Sequence, residues 1–98
     1  MGPGFDPLIH APTRLSLVSF LAPLDWAEFR LVREELGLSD SALSKQLSTL
    51  EDAGYLEVKR EFVGRRPRTS VRLTDEGIRA FKGHVAALRE LIGEEMAE

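Results

Sequence analysis

The stretch Leu38–Leu56, LSDSALSKQLSTLEDAGYL, decides the fold. Three leucines recur in it at spacings of four and three, which predicts one apolar face of an α-helix. They are Leu43, Leu47 and Leu50. Ser39 is a favourable N-cap residue, and Gly54 suits the left-handed conformation that ends many helices. We therefore predict a helix over residues 39–53.

The opposite face of this helix is short and polar. At about 100° per residue, the side chains that point away from the leucines are hydroxyls and one lysine, with an amide nearby. These candidate contact residues are Ser41, Ser44, Lys45, Gln46, Ser48 and Thr49. Such a face is not built for burial, and it fits the major groove of DNA, where lysine can bind guanine O6 and N7 and glutamine can read adenine.

A second helix is predicted just before it, over residues 25–36. Asp25 and Glu28 form a candidate capping box at its start. Gly37 ends it, and Ser39 begins the next helix only two residues later. Two helices joined by so short a turn cross steeply, as in a helix-turn-helix, although a plain helical hairpin stays open at this point.

A β-hairpin is predicted over residues 56–73. Strand-like alternation over residues 56–63 and again over 69–73 flanks the loop Gly64–Arg68, GRRPR. Glycine permits a positive φ there and proline stiffens the loop. The loop holds the arginines Arg65, Arg66 and Arg68. An arginine-tipped hairpin directly after a polar-faced helix favours DNA binding.

Two further helices, over about residues 12–22 and 74–95, carry more apolar surface than one small domain needs. The first is apolar almost all round, which is typical of burial in a core or an interface. The last has a heptad seam over about two heptads. The last helix could fold back on the first, but we expect two copies of the chain to pair through these helices. The expected interface residues are Leu17, Phe20, Phe81, Val85, Leu88 and Ile92.

Composition limits the function classes. The chain of 98 residues suits one domain, over residues 1–98. The net charge of −3 argues against nucleic acid, but residues 45–72 hold seven basic and four acidic residues, a local +3 against −6 elsewhere. A basic patch on an acidic body can still steer a phosphate backbone. No apolar run approaches the length that spans a bilayer, and the first residues lack a signal-peptide pattern.

Catalysis and metal binding are not expected. The chain has no cysteine, and its two histidines, His10 and His84, lie far apart in the sequence in different predicted elements. No nucleophile elbow, P-loop or dinucleotide fingerprint occurs. We predict a protein that is not an enzyme, with no cofactor and no metal site.

Residues 36–77 resemble the winged-helix transcriptional regulators of bacteria and archaea. They read LGLSDSALSKQLSTLEDAGYLEVKREFVGRRPRTSVRLTDEG. The resemblance is strongest to small single-domain members near the MarR and ArsR families and covers about residues 6–92. It implies a mainly α fold with a small β-hairpin, namely a winged helix-turn-helix with a long C-terminal helix. It also implies a recognition helix over residues 39–53, a wing over residues 63–68 and a dimer formed through the terminal helices.

The functional prediction is therefore a homodimeric, cytoplasmic, nucleoid-associated regulator that binds double-stranded DNA. The chain lacks the extra helices of larger MarR proteins and the cysteines of metal-sensing ArsR proteins, so the sequence does not tell whether an effector exists. The alternative is a winged-helix module that binds proteins and not DNA, which the overall negative charge would suit. A ligand-gated sensor would need a cavity between Trp26 and the terminal helices.

Overall fold

The computed structural model describes residues 3–96, with side chains described as far as Gly93. The described helices are α1 (Pro7–His10), α2 (Pro12–Leu21), α3 (Phe29–Leu36), α4 (Asp40–Asp52) and α5 (Asp75–Met96). The described strands are β1 (Ala27–Glu28), β2 (Leu56–Val63) and β3 (Arg66–Leu73), which form an antiparallel sheet in the order β1-β3-β2. The predicted fold, mainly helical with a helix-turn-helix followed by a hairpin, is confirmed.

The turn between α3 and α4 has the expected chemistry. Gly37 ends α3 in the left-handed conformation, with φ +63. The Ser39 hydroxyl accepts a hydrogen bond from the backbone N–H of Ala42 at 3.1 Å and so caps α4. Asp40 lies in the first turn, where the helix dipole favours a negative charge, and Arg33 of α3 donates to it at 2.7 Å. These contacts fix how α4 is presented.

The predicted start of the second helix is wrong. Residues 27 and 28 form β1, and α3 begins only at Phe29, with no side-chain cap from Glu28. Ala27 pairs with Val71 of β3, a contact between distant parts of the chain that outweighs a local helix preference. Asp25 does not cap α3 but instead accepts a hydrogen bond from Arg72 at 3.2 Å.

The β2–β3 hairpin, which we call the wing, has a tighter turn than predicted. Gly64 and Arg65 alone connect the strands, and Gly64 has φ +66, as expected for the first residue of a type II′ turn. The prediction of a loop through Arg68 is wrong because Arg66 already pairs with Val63 across the hairpin.

Pro67 lies within β3 although proline cannot donate to a sheet. β3 has described neighbours on both sides only at Ser70 and Val71, so Pro67 pairs with Phe62 of β2 alone. In a hairpin with a two-residue turn, the pair next to the turn exchanges both hydrogen bonds and the following pair exchanges none. Pro67 therefore costs the wing no hydrogen bond.

The core forms where α2 meets α4 and the sheet. Leu17, Val18 and Leu21 of α2 are fully buried there with the leucines of α4. The expectation that Leu17 lies in a dimer interface is wrong, since it is 0% exposed within one chain and has no surface left for a partner. Phe20 and Phe81 are half-buried and pack against the same core.

The start of α5 is pressed against the segment that follows α4. The backbone N–H of Gly77 donates to the Thr74 hydroxyl at 3.0 Å, so Thr74 caps α5. The Thr74 hydroxyl donates to the carbonyl oxygen of Gly54 at 2.7 Å. A Cβ at Gly77 would lie 2.2 Å from the carbonyl oxygen of Tyr55, so only glycine allows this approach.

The far half of α5 extends away from this body. His84 and Ala87 are buried, Val85 and Leu88 are half-buried, and Ile92 is 54% exposed. The longest dimension of the chain is 59 Å, against 25 and 20 Å in the other two. Within the described residues, the outer part of the predicted heptad seam is thus left uncovered.

Candidate nucleic-acid interface

The outer face of α4 is exposed as a continuous polar row. Its exposed members are Ser41, Ser44, Lys45 and Ser48. The leucine face on the other side of α4 is buried, which fixes the rotation of the helix about its own axis. The four polar side chains therefore project together from one helix.

The two remaining predicted residues of α4 are placed differently. Gln46 is half-buried, and its side-chain oxygen accepts a hydrogen bond from Arg14 of α2 at 3.0 Å. Thr49 is half-buried, and its hydroxyl donates to the carbonyl oxygen of Lys45 at 3.1 Å. The structure therefore does not bring Gln46 into the exposed row, and Thr49 lies at its margin with its only hydrogen-bond donor used within α4.

A groove of about 250 Å³ separates α4 from the wing. Ser44 and Ser48 line one wall, and Arg60 of β2 and Thr69 of β3 line the other. Arg60 was not among the contact residues predicted from the sequence. The available signal was its position between Val58 and Phe62, on the strand face where an apolar residue was expected.

A second concavity of about 410 Å³ follows the groove towards the end of the wing. Phe29 and Thr69 line both spaces, so the two are adjacent. Arg66 and Arg30 line the second one, and Arg30 was likewise not predicted from the sequence. Arg65 is exposed in the turn.

Arg68 is not free in the way that the sequence suggested. Its guanidinium donates to a carboxylate oxygen of Glu61 at 2.5 Å and lies 3.6 Å from that of Glu28. The hydrogen bond to Glu61 is the main cause of the raised pKa of Arg68, and it also lowers the pKa of Glu61. Arg68 thus serves first to join β1, β2 and β3 at the base of the wing.

Other cations of the predicted patch are also engaged with the sheet. Arg72 donates to Glu57 at 2.8 Å and, together with Lys59, lies 4.4 Å from the ring centre of Trp26. Lys59 is also 3.7 Å from Glu61. Within residues 3–93, by contrast, four cations of the α4 and wing surface make no ion pair. They are Lys45, Arg60, Arg65 and Arg66.

The two histidines, which the sequence placed far apart, meet in the structure. The Nδ1 atom of His10 lies 3.3 Å from the Nε2 atom of His84. No cluster of three or more His, Asp or Glu side chains that could hold a metal ion occurs in the described part of the chain. None of the helices, as far as the structure describes them, is long and apolar enough to cross a membrane.

Comparisons with known proteins agree with this geometry. A family model described as a winged helix DNA-binding domain matches residues 13–92. A transcriptional regulator homologue from Pyrococcus horikoshii OT3 is 28% identical, with a TM-score of 0.85 over 91% of this chain and 88% of that one. A protein described as a transcriptional regulator of the MarR family, from Enterococcus faecalis V583, is 25% identical, with a TM-score of 0.72 over 92% and 79% of the two chains.

An uncharacterized protein of Methanocaldococcus jannaschii is 29% identical over 84 residues, which are 86% of this chain and 91% of that protein. The match of the family model extends from α2 through the wing to α5 and so includes every element of the candidate interface. The predicted resemblance is therefore confirmed. The chain belongs to the family of winged helix DNA-binding domains and has the fold of MarR-type transcriptional regulators.

Proposed function

We propose that the protein is a transcriptional regulator that binds double-stranded DNA as a homodimer. The observation that carries the proposal is that side chains of the exposed α4 row and cations of the wing line two adjacent spaces. Ser44, Ser48 and Arg60 line the groove, and Arg66 lines the neighbouring concavity. The hydroxyls and cations there suit phosphates and base edges, and they outnumber the carboxylates on the same lining, those of Glu51 and Glu28.

In this proposal α4 is the recognition helix and enters the major groove. Lys45 binds guanine O6 and N7, while Ser41, Ser44 and Ser48 bind phosphates and base edges. Reading of adenine by Gln46 would require its amide to leave Arg14. Thr49 contributes an acceptor at the margin of the contact.

Arg65 and Arg66 lie on the backbone or in the adjacent minor groove, whose negative potential attracts guanidinium groups. Arg60 and Arg30 extend this contact towards α4. Arg68 stabilises the wing through its ion pairs with Glu61 and Glu28. It contacts a DNA phosphate only if the phosphate replaces one of these carboxylates.

The proposed dimer forms through the uncovered part of α5. Val85, Leu88 and Ile92 form the apolar seam between the two copies. Phe20 and Phe81 add the parts of their rings that remain exposed outside the core. Such pairing would set two copies of α4 about 34–36 Å apart, on successive major grooves of one duplex. A DNA partner places the protein in the cytoplasm, with the nucleoid.

Selection of bound fragments from random DNA, followed by titration of the selected duplex at fixed salt, tests the proposal. We expect a preferred, roughly palindromic site that binds about 10³-fold or more tightly than random duplex. Free passage through heparin and random DNA columns at low salt would instead favour the protein-binding module. Light scattering of Ile92→Glu against the unchanged chain tests the dimer, because a charge on the exposed seam should give monomers.

A further inference from the structure

The segment before α2 is docked closely onto α5. Gly4 has φ +87, and a Cβ at this position would lie 2.8 Å from the carbonyl oxygen of Gly83 on α5. Phe5 packs against both histidine rings, with centres 4.9 Å apart in each case. The N-terminal segment, residues 4–10, is thus held by close backbone approach and ring packing.

The hydrogen bonds around His84 define where its protons are. The backbone N–H of Asp6 donates to Nδ1 of His84 at 3.0 Å, so this nitrogen carries no proton. The Nε2 atom of His84 must then carry the hydrogen and donate it to Nδ1 of His10 at 3.3 Å. Both rings are therefore neutral, each with its hydrogen on Nε2.

An added proton breaks this arrangement at either ring. A proton on Nδ1 of His84 would face the N–H of Asp6, and a proton on Nδ1 of His10 would face the N–H of His84. His84 is fully buried. Burial is the main cause of its lowered pKa, and the facing His10 lowers it further, while the Asp6 carboxylate acts in the opposite direction.

The other titratable groups that face the pair are hydrogen-bonded within the same cluster. The Asp6 carboxylate accepts from the N–H groups of Leu8 and Ile9 and from the Tyr55 hydroxyl at 2.6 Å. The hydrogen bond to Asp6 is the main cause that raises the pKa of the Tyr55 hydroxyl to about 12, and burial and the charge of Glu76 on α5 act in the same direction.

The N-terminal segment is also connected to α4. Tyr55, just beyond α4, donates to Asp6 as described above. Arg14 donates to the carbonyl oxygen of Leu8 at 2.6 Å and to Gln46 of α4 at 3.0 Å. Release of the segment would remove the first of these supports directly and would loosen the arginine that makes the second.

We propose that the His10–His84 pair is a proton-sensitive latch that holds the N-terminal segment between α5 and α4 and thereby regulates DNA binding. When the pH falls below the ordinary range of a histidine, a proton on Nδ1 of His84 removes the acceptor of the Asp6 N–H, the segment leaves α5, and α4 loses the contacts that the segment makes with it. This inference rests on the proposed function, because DNA affinity is what the latch controls.

The decisive test is DNA affinity between pH 8 and 5 at constant ionic strength. Protonation of histidines makes a protein more positive, so simple electrostatics would strengthen binding as the pH falls. The latch has the opposite effect, and we expect affinity to fall by up to about tenfold per pH unit for each proton taken up. Unchanged or stronger binding at pH 5 would overturn the proposal.

Three variants separate the latch from general effects. His84→Asn keeps an acceptor for Asp6 N–H without titrating, and His10→Gln removes the facing ring, so both should flatten the pH response. Gly4→Val should undock the segment at every pH and bind DNA weakly even at pH 8. Lys82→Gln, an exposed change of charge on α5, is the matched control and should keep the full response.

A readout without DNA tests the latch by itself. Imidazole ¹⁵N shifts should show the Nε2–H form of both histidines at pH 8. Because intrinsic amide exchange slows as the pH falls, the quantity to compare is the protection factor of the amides at residues 8–10, which should fall towards pH 5 in the unchanged chain. An Nδ1–H form of His84, or protection factors that do not fall in acid, would overturn the latch even if DNA binds. Acid-released α1 without loss of DNA affinity would overturn its regulatory role, whereas absence of DNA binding at all pH values would refute the proposed function instead.

Discussion

Replacing Arg65 and Arg66 together by alanine should flatten the salt dependence of DNA binding. Both are exposed at the end of the wing and make no ion pair within residues 3–93, so each is available to displace counterions from a phosphate. On B-DNA each such contact adds about 0.9 to the slope of log affinity against log salt concentration. The double variant should therefore lose about 1.8 units of slope for each bound copy.

The matched control is Arg68→Ala, in the same hairpin. Arg68 is already neutralised by Glu61 and Glu28, so its removal should change the slope by less than about 0.5. Fluorescence anisotropy between 50 and 200 mM salt resolves the two cases. Over that fourfold range of salt the double variant should lose about tenfold less affinity per bound copy than the unchanged chain does, and about 150-fold less for the proposed dimer.

The comparison can refute the assignment of the wing. Equal flattening in the double variant and in Arg68→Ala would mean that the ion pairs of the wing base do not remove Arg68 from the contact. An unchanged slope in the double variant would take the end of the wing out of the interface.

Three further outcomes follow from the structure. Lys45→Ala should lose about 1–3 kcal/mol of discrimination between the preferred base and the others at one position of the site. Competition with duplexes that differ by a single base measures this loss. Equal losses of affinity for preferred and random DNA would contradict base reading by Lys45. Gly77→Ala should lower the free energy of unfolding by more than about 2 kcal/mol, because its Cβ would meet the carbonyl oxygen of Tyr55. Gly93→Ala has open space around its Cβ and should instead raise the free energy of unfolding by about 0.5–1 kcal/mol. Urea unfolding of both variants checks this. The pKa of Tyr55 is raised from 10.0 to about 12, first by its hydrogen bond to Asp6, so its stabilising effect is present below pH 10 and is lost as the pH rises from 10 to 12. Urea unfolding of the unchanged chain and of Tyr55→Phe should therefore converge over that range, and parallel profiles would refute the assignment.

Local chemistry was enough to predict the presentation of α4. The N-cap Ser39, the terminator Gly37 and the leucine spacing act over a few residues, and all of them are visible in the sequence. The hairpin was also predictable from its alternation and its glycine. Its tight turn was missed because proline usually signals a loop, and only the pairing of Pro67 with Phe62 shows that its missing N–H does no harm there.

Features that depend on distant partners could not be predicted. β1 exists because Ala27 meets Val71, and Arg68 is engaged because Glu28 and Glu61 converge on it. The apolar periodicity of α2 does not distinguish a core from an interface, which is why Leu17 was misplaced. Nothing in the sequence around His10 or His84 indicates that the two rings touch. Long-range packing alone decides these cases.

Pro67 has a consequence for how the protein behaves when concentrated. The wing end carries exposed Phe62 and Val63, and the outer edge of β3 is uncovered from Arg66 to Thr69 within the described strands. Apolar side chains beside an unpaired strand edge favour the growth of fibrils by strand addition. Pro67 has no N–H to donate to an incoming strand, so the exposed apolar side chains at the wing end do not lead to edge-to-edge aggregation.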